Sequence, residues 1–265
     1  MTTLQAHFGF TRQPFPRVPP EEAILRHKGL DDVLARLNFA LERDTIALLV
    51  AESGCGKSTA LSLFAKSLDA SNHQLVTLSL TTLAPFSLIS GIATSLGLRS
   101  RRFKGETAAA LLGHLRSLPR RTVLLIDEAH LLPDESLEDL RLLTADDFDR
   151  RSPFALILCG QPLLRDRLTE PRHWALEQRI GVRIRLRPLT EAEVNAFLGL
   201  HLKAAGNGKP LFDPQATTAI FQHTRGIPRL VQNLALASAL AAMAAGNANV
   251  DAVAVQQAVV DLEDL

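Results

Sequence analysis

The chain has 265 residues, 46% of them hydrophobic, with 29 Lys and Arg against 28 Asp and Glu and a formal net charge of +1. That supports one large α/β domain with a smaller appendage and leaves any polyanionic partner to local clusters, while two scattered cysteines, Cys55 and Cys159, rule out a disulfide framework and a zinc site. No apolar run approaches the ~20 residues of a membrane span, and Met1-Thr2-Thr3-Leu4 does not begin a secretory signal, so a cytoplasmic protein is expected.

Residues 1–29 carry Phe8, Phe10 and Phe15 among prolines, which predicts an extended arm docked on the main domain. Leu30, Val33, Leu34, Leu37 and Leu41 recur at helical spacing and lead into the apolar run Thr45 to Val50. Ala51-Glu52-Ser53-Gly54-Cys55-Gly56-Lys57-Ser58 follows, and then a helical segment from Thr59 to Leu68. Strand, glycine loop and helix N-terminus are what a phosphate-binding loop needs, because its backbone N–H groups and the helix dipole converge on anions. Ser53, Gly54, Cys55, Gly56, Lys57, Ser58 and Thr59 are the candidate nucleotide-binding residues, with Lys57 on the β- and γ-phosphates and Ser58 on Mg²⁺. Ala51 stands where the usual pattern has glycine, at the cost of one methyl group and easy access to positive φ. Cys55 reads as a small filler, or as a thiol whose alkylation blocks nucleotide.

Gln74 to Leu80 alternates as a strand, and Pro85 to Leu96 and Glu106 to Leu118 read as helices. The loop between those helices carries Arg99, Arg101, Arg102 and Lys104 around Phe103, a cluster able to neutralise DNA phosphates without reading bases, or simply a charged surface loop. Thr122 to Ile126 is an unbroken apolar run, typical of a parallel strand buried on both faces, and it ends in Asp127-Glu128. On a strand neighbouring the phosphate loop, Asp127 would join the Mg²⁺ shell and Glu128 would polarise the attacking water. Asp134 is the expected cap of the next helix, Phe154 to Cys159 the next strand, and Ile180 to Leu186 a half-exposed edge strand studded with Arg183, Arg185 and Arg187. The alternation predicts a doubly wound parallel sheet. From Thr190 everything is helical, with a capping box at Thr190 and Glu193 and helix starts at Asp213-Pro214, Ile227-Pro228 and Val250-Asp251. The expected division is an arm over 1–29, an α/β nucleotide domain over 30–187 and a small all-helical lid over 188–265.

Gly54-Cys55-Gly56-Lys57-Ser58 taken with Leu125-Ile126-Asp127-Glu128-Ala129-His130 resembles the AAA+ ATPases, and more closely their ExeA/TniB/TnsC-like group. Cys159-Gly160-Gln161-Pro162-Leu163, Leu176-Glu177-Gln178-Arg179-Ile180 and Gly226-Ile227-Pro228-Arg229 follow in the group's order. The resemblance implies ATP with Mg²⁺, a γ-phosphate sensor at Gln161, a trans-acting finger at Arg179 with Arg183 as its rival, and a second sensor at Arg229. A trans-acting arginine implies a homo-oligomer, a ring or helical filament. It further implies an ATP-dependent regulator of DNA transposition that assembles on double-stranded DNA and engages a transposase, with an ATPase serving a secretion or envelope-assembly complex as the alternative. Secretion-type relatives add a membrane segment and a cell-wall-binding region, and their absence from this sequence turns the expectation toward transposition.

Overall fold

The computed structural model describes residues 3–79, 85–145 and 152–263. In chain order the helices are α1 (Leu4–Phe8), α2 (Lys28–Glu42), α3 (Lys57–Ser67), α4 (Pro85–Ser95), α5 (Lys104–Ser117), α6 (Asp134–Thr144) and α7 (Pro162–Leu168). They continue with α8 (Trp174–Glu177), α9 (Glu191–Ala204), α10 (Pro214–Thr224), α11 (Pro228–Ala244) and α12 (Ala252–Glu263). The strands are β1 (Ile46–Val50), β2 (His73–Leu78), β3 (Arg121–Ile126), β4 (Ala155–Gly160) and β5 (Ile180–Arg185). The chain divides into two compact units, one of Gly29–Ser53 with Lys57–Leu186, the other of the residues up to Lys28 with Gly54–Gly56 and Arg187–Leu265.

The sheet unit is a five-stranded parallel sheet in the order β2-β3-β4-β1-β5. β1 and β4 are buried at every position and β3 at all but its first, which requires cover on both faces and accounts for their unbroken apolar sequences. β5 lies at one edge and alternates, with Val182 and Ile184 buried on one face and Arg183 and Arg185 exposed on the other. Leu80, which the alternation assigns to β2, lies outside the described residues.

Asp134 does not cap α6. It is the first helical residue, and Pro133 holds the cap position. Its carboxylate instead accepts from Arg167, from Arg172 Nη1 at 2.6 Å and contacts His173 Nε2 at 3.0 Å, tying α6 to α7 and the turn beyond. The Arg167 guanidinium, ahead of the other partners, holds this carboxyl below its usual range.

The helical unit is built on α9 to α12. Thr190 and Glu193 form the expected capping box, and Arg187 grips Glu193 with two bonds of 2.6 and 2.8 Å, holding its carboxyl down to about 2. Asp213 caps α10 ahead of Pro214. The N-terminal arm belongs to this unit, a correction to its expected docking on the sheet domain: Phe8, Phe10 and Phe15 are buried in one cluster with Phe197, Leu198, Phe212 and Val231. Arg12 and Thr11 backbone N–H groups donate to Ala205 O, and Gln232 donates to Pro16 O, so hydrogen bonds as well as aromatic burial hold the arm there. Among the described residues no helix is long and apolar enough to cross a membrane.

His201 lies inside that cluster, stacked on Phe15 at 5.4 Å and against Phe197 at 4.2 Å, and among the described residues neither ring nitrogen has a hydrogen-bond partner. Burial alone pushes its pKa from 6.5 down to about 4. The unfolded chain therefore takes up a proton that the folded chain refuses. The sign follows: the contribution is fully present above the unfolded pKa and is lost as pH falls toward the folded one. We expect roughly 3 kcal/mol of the helical unit's stability to disappear between those two values. Chemical denaturation of the wild type and His201→Leu at a series of pH values checks it, and the variant should lack the acid-dependent loss.

Candidate functional site

All five strands run the same way, so their C-terminal ends share one edge of the sheet, where ligands of open α/β sheets bind. β1 ends at Val50, opposite Gly160, and Ala51 N–H donates to Gly160 O at 3.1 Å. The loop turns on Gly54 and Gly56, at φ +82 and +97, and α3 begins at Lys57. Ala51 is not among the positive-φ residues and is buried, so its position makes no demand for glycine and accepts the methyl group. Gly54 is different: an added Cβ would lie 2.8 Å from Arg229 Cβ and 3.1 Å from Ile227 Cγ2. Cys55 is buried, Ser53 and Ser58 are exposed and Thr59 is half-buried.

Lys57 is buried, and its ammonium donates to Ala51 O at 2.9 Å and Glu52 O at 3.1 Å. A buried ammonium needs such partners, and two carbonyls are weaker ones than phosphate oxygens. The loop therefore holds a cation ready for an anionic ligand.

Asp127 and Glu128 follow β3 on the same edge. β3 is not the neighbour of β1, a correction to the expected adjacency: β4 lies between them. The residues converge nevertheless. The Cys159 thiol, fully buried in β4, is raised well above the usual thiol range first by burial and next by Asp127, with Lys57 acting in the opposite sense and Glu128 adding to the rise. One β4 side chain thus lies within electrostatic reach of the loop lysine and both carboxylates. Asp127 Oδ1 accepts from Glu128 N–H at 2.9 Å, and neither carboxylate caps a helix. Glu128 has φ +52, uncommon for a residue with a side chain and the kind of strain found at functional sites.

Gln161 follows β4 as the N-cap residue of α7 without a side-chain cap bond. Sequence reasoning missed its companion, His130. That ring is buried, with Nδ1 at 3.5 Å from Glu128 Oε2 and at 3.5 Å from the Gln161 backbone N. The signal was its place at the end of the Leu125 to His130 stretch, quoted above without a role for the ring.

Arg179 is not brought to this edge. Ile180, next to it, pairs with Ile46, the first residue of β1, roughly 13 Å along the strand from Val50. Arg183 pairs with Leu48, and its guanidinium is held by Glu177 and by the Ile180 carbonyl at 3.0 Å. In the helical unit, Arg229 N–H donates to Gly54 O at 3.2 Å, and the side chain is exposed.

In the loop before α5, Arg99, Arg101 and Arg102 are exposed, with the Arg102 guanidinium 5.5 Å from the Phe103 ring centre. Lys104 is committed elsewhere: Nζ pairs at 2.6 Å with Asp139, whose carboxylate is buried. It neutralises the core of the sheet unit, whereas the expected role was a DNA contact.

The family model described as AAA domain matches residues 40–168. Over 248 residues the chain is 32% identical to general secretion pathway protein A of Aeromonas hydrophila, covering 91% of this chain and 45% of that protein. The chain thus spans under half the length of that relative. Among solved structures it resembles Cdc6p of Pyrobaculum aerophilum at a TM-score of 0.65 and 21% identity, over 88% of this chain and 66% of that one. It also resembles the Aeropyrum pernix ORC1 protein, solved in complex with DNA, at a TM-score of 0.64 and 19% identity, over 94% and 67% of the two chains. At such identities these two likenesses establish the fold alone.

Proposed function

We propose that this chain, an AAA+ ATPase by its AAA domain and its P-loop sheet, supplies nucleotide-driven work to a secretion or envelope-assembly complex. The observation that carries the reading is the 32% identity to general secretion pathway protein A across 91% of the chain. That stretch is 45% of the relative, so membrane or cell-wall-binding regions outside it no longer weigh for or against secretion.

Lys57 and the backbone of Gly54 to Ser58 take the triphosphate, the helix N-terminus adding its partial positive charge. Ser58, exposed at the start of α3, and Asp127, half-buried at the end of β3, suit Mg²⁺, an ion that favours one or two protein oxygens with phosphates and waters. Mg²⁺ there would neutralise charge on the transferred phosphoryl group. Glu128 orients and polarises the attacking water, and Gln161 reads the γ-phosphate side from the end of β4. Arg179, lying toward the opposite edge of its own sheet, suits a role at a neighbouring copy's nucleotide and therefore a homo-oligomer. Arg229, on the helix that contacts Gly54 by its backbone, suits the second sensor. In cells, replacing the chain by its Glu128→Gln variant should leave normally exported proteins behind in the periplasm. Undiminished export would overturn the secretion reading.

A second reading, a DNA-binding regulator of transposition that engages a transposase, draws on the exposed Arg99, Arg101 and Arg102. Such a surface binds double-stranded DNA through phosphates, and the salt slope falls by roughly 0.9 for each contact removed. On this reading Arg101→Ala with Arg102→Ala, leaving Lys104 in place, weakens duplex binding in the presence of a non-hydrolysable ATP analogue and flattens the salt dependence. Absence of duplex binding by the wild type at low salt removes the reading.

A further inference from the structure

A groove of about 520 Å³ runs beside α6, lined by the carboxylates of Asp134, Glu135, Glu138 and Asp139 and completed by Lys104, Arg172 and His173. Two of the carboxylates are fully engaged. Asp134 is held by Arg167, Arg172 and His173, and Glu138 accepts two bonds from Arg141, at 2.8 and 2.7 Å. The other two have capacity left. Glu135 is exposed and, among the described residues, pairs with nothing. Asp139 is 5% exposed, and Lys104 Nζ takes only its Oδ1, at 2.6 Å. Oδ2 is buried and has no partner among the described residues. A buried carboxylate oxygen without a donor is costly to keep, and a ligand that supplies the donor removes that cost. Glu135 and Asp139 stand four residues apart on α6 and so share one face of the helix, which the exposed Leu142 continues one turn further on.

We propose that this face of α6 docks a segment of a partner protein that presents an arginine beside an apolar side chain. Arginine is the cation the groove suits. A lysine satisfies one oxygen of Asp139, as Lys104 already does, whereas the planar guanidinium fork takes both and keeps donors over for Glu135 at the rim. Lys104 is the movable part of the wall, with a side chain 39% exposed on a flexible stem. Turned outward, it leaves Asp139 to the incoming guanidinium, which succeeds it as counter-ion. The unpaired oxygens repel an anionic ligand, and Leu142 offers an apolar contact that a free ion or a small polyamine would leave bare. None of these residues belongs to the nucleotide site, so the occupant is a partner and the inference stands whichever complex the ATPase serves.

The test titrates the full chain with two short probe peptides, one carrying an arginine between leucines, the other citrulline in its place, which keeps the side chain's shape without its charge. Amide ¹H–¹⁵N spectra follow the binding. The arginine probe should shift the signals of Glu135, Asp139 and Leu142 and bind about tenfold more tightly than its twin, the scale of a hydrogen-bonded charge. Glu135→Gln, an exposed change that spares the fold, should weaken the arginine probe about threefold and leave the citrulline probe as it was. Lys104→Met leaves the Asp139 carboxylate uncompensated and should lower the melting temperature, which the arginine probe then raises by more than it does in the wild type. Should that variant fail to fold, the paired probes and Glu135→Gln decide alone. Equal affinity for the two probes, shifts confined to other surfaces, or an arginine affinity untouched by Glu135→Gln overturns the proposal, as does an equal rise in melting temperature for Lys104→Met and wild type.

Discussion

Lys57→Ala should slow ATP hydrolysis by roughly two to three orders of magnitude in kcat and weaken nucleotide binding sharply, as followed by titration calorimetry or a fluorescent analogue. The expectation comes from where the ammonium already is. It is buried at the start of α3, with Ala51 and Glu52 carbonyls as its hydrogen-bond partners. Phosphate oxygens carry full charge and replace those carbonyls at a net gain, so the lysine's contribution is made to the ligand rather than to the fold. One preorganised cationic donor lost from such a site lowers kcat by roughly a hundred- to a thousandfold, and the binding loss adds to that in kcat/KM. Melting temperature should stay level or rise, because a buried charge is removed along with its desolvation. A variant that still binds ATP at wild-type affinity would refute the assignment of the loop.

Glu128→Gln should separate binding from chemistry. The amide retains the shape of the side chain and the strained backbone at φ +52 but cannot take a proton from water. We expect kcat to fall by roughly two to four orders of magnitude with KM little changed, measured by phosphate release under single-turnover and steady-state conditions. The chain would then hold ATP unhydrolysed. Turnover close to wild type would place water activation on another group. The two variants diagnose each other: loss of binding belongs to Lys57, loss of turnover with binding intact to Glu128.

The parts of this site that could be read from the sequence are those made by local chain. An apolar run, a glycine turn and a lysine at a helix start lie within thirteen consecutive residues, Thr45 to Lys57, and the carboxylates end their own strand. The capping box and the Asp213-Pro214 start are equally local and stand as expected. What escaped is pairing between distant segments. Nothing around Lys104 announces that Asp139 will be buried and need it, so a counter-ion reads as a DNA contact. Asp134 looks like a cap because the alternative partners, Arg167, Arg172 and His173, come later in the chain. The interposition of β4 between β1 and β3 is a property of strand order, to which buried apolar runs are indifferent. Aromatic residues in the arm predict burial without saying against what.

The arm's true position has a consequence for how the chain is made. His7 contacts Asn247 across 240 positions of sequence and Gln232 contacts Pro16 across 216, so the helical unit is closed by its two extremes. During synthesis the sheet unit is complete once Leu186 has emerged, whereas Phe8, Phe10 and Phe15 must wait, apolar and unshielded, for helices not yet translated. The arm is therefore made before the sheet unit and reaches its place only after it, once α11 has been made.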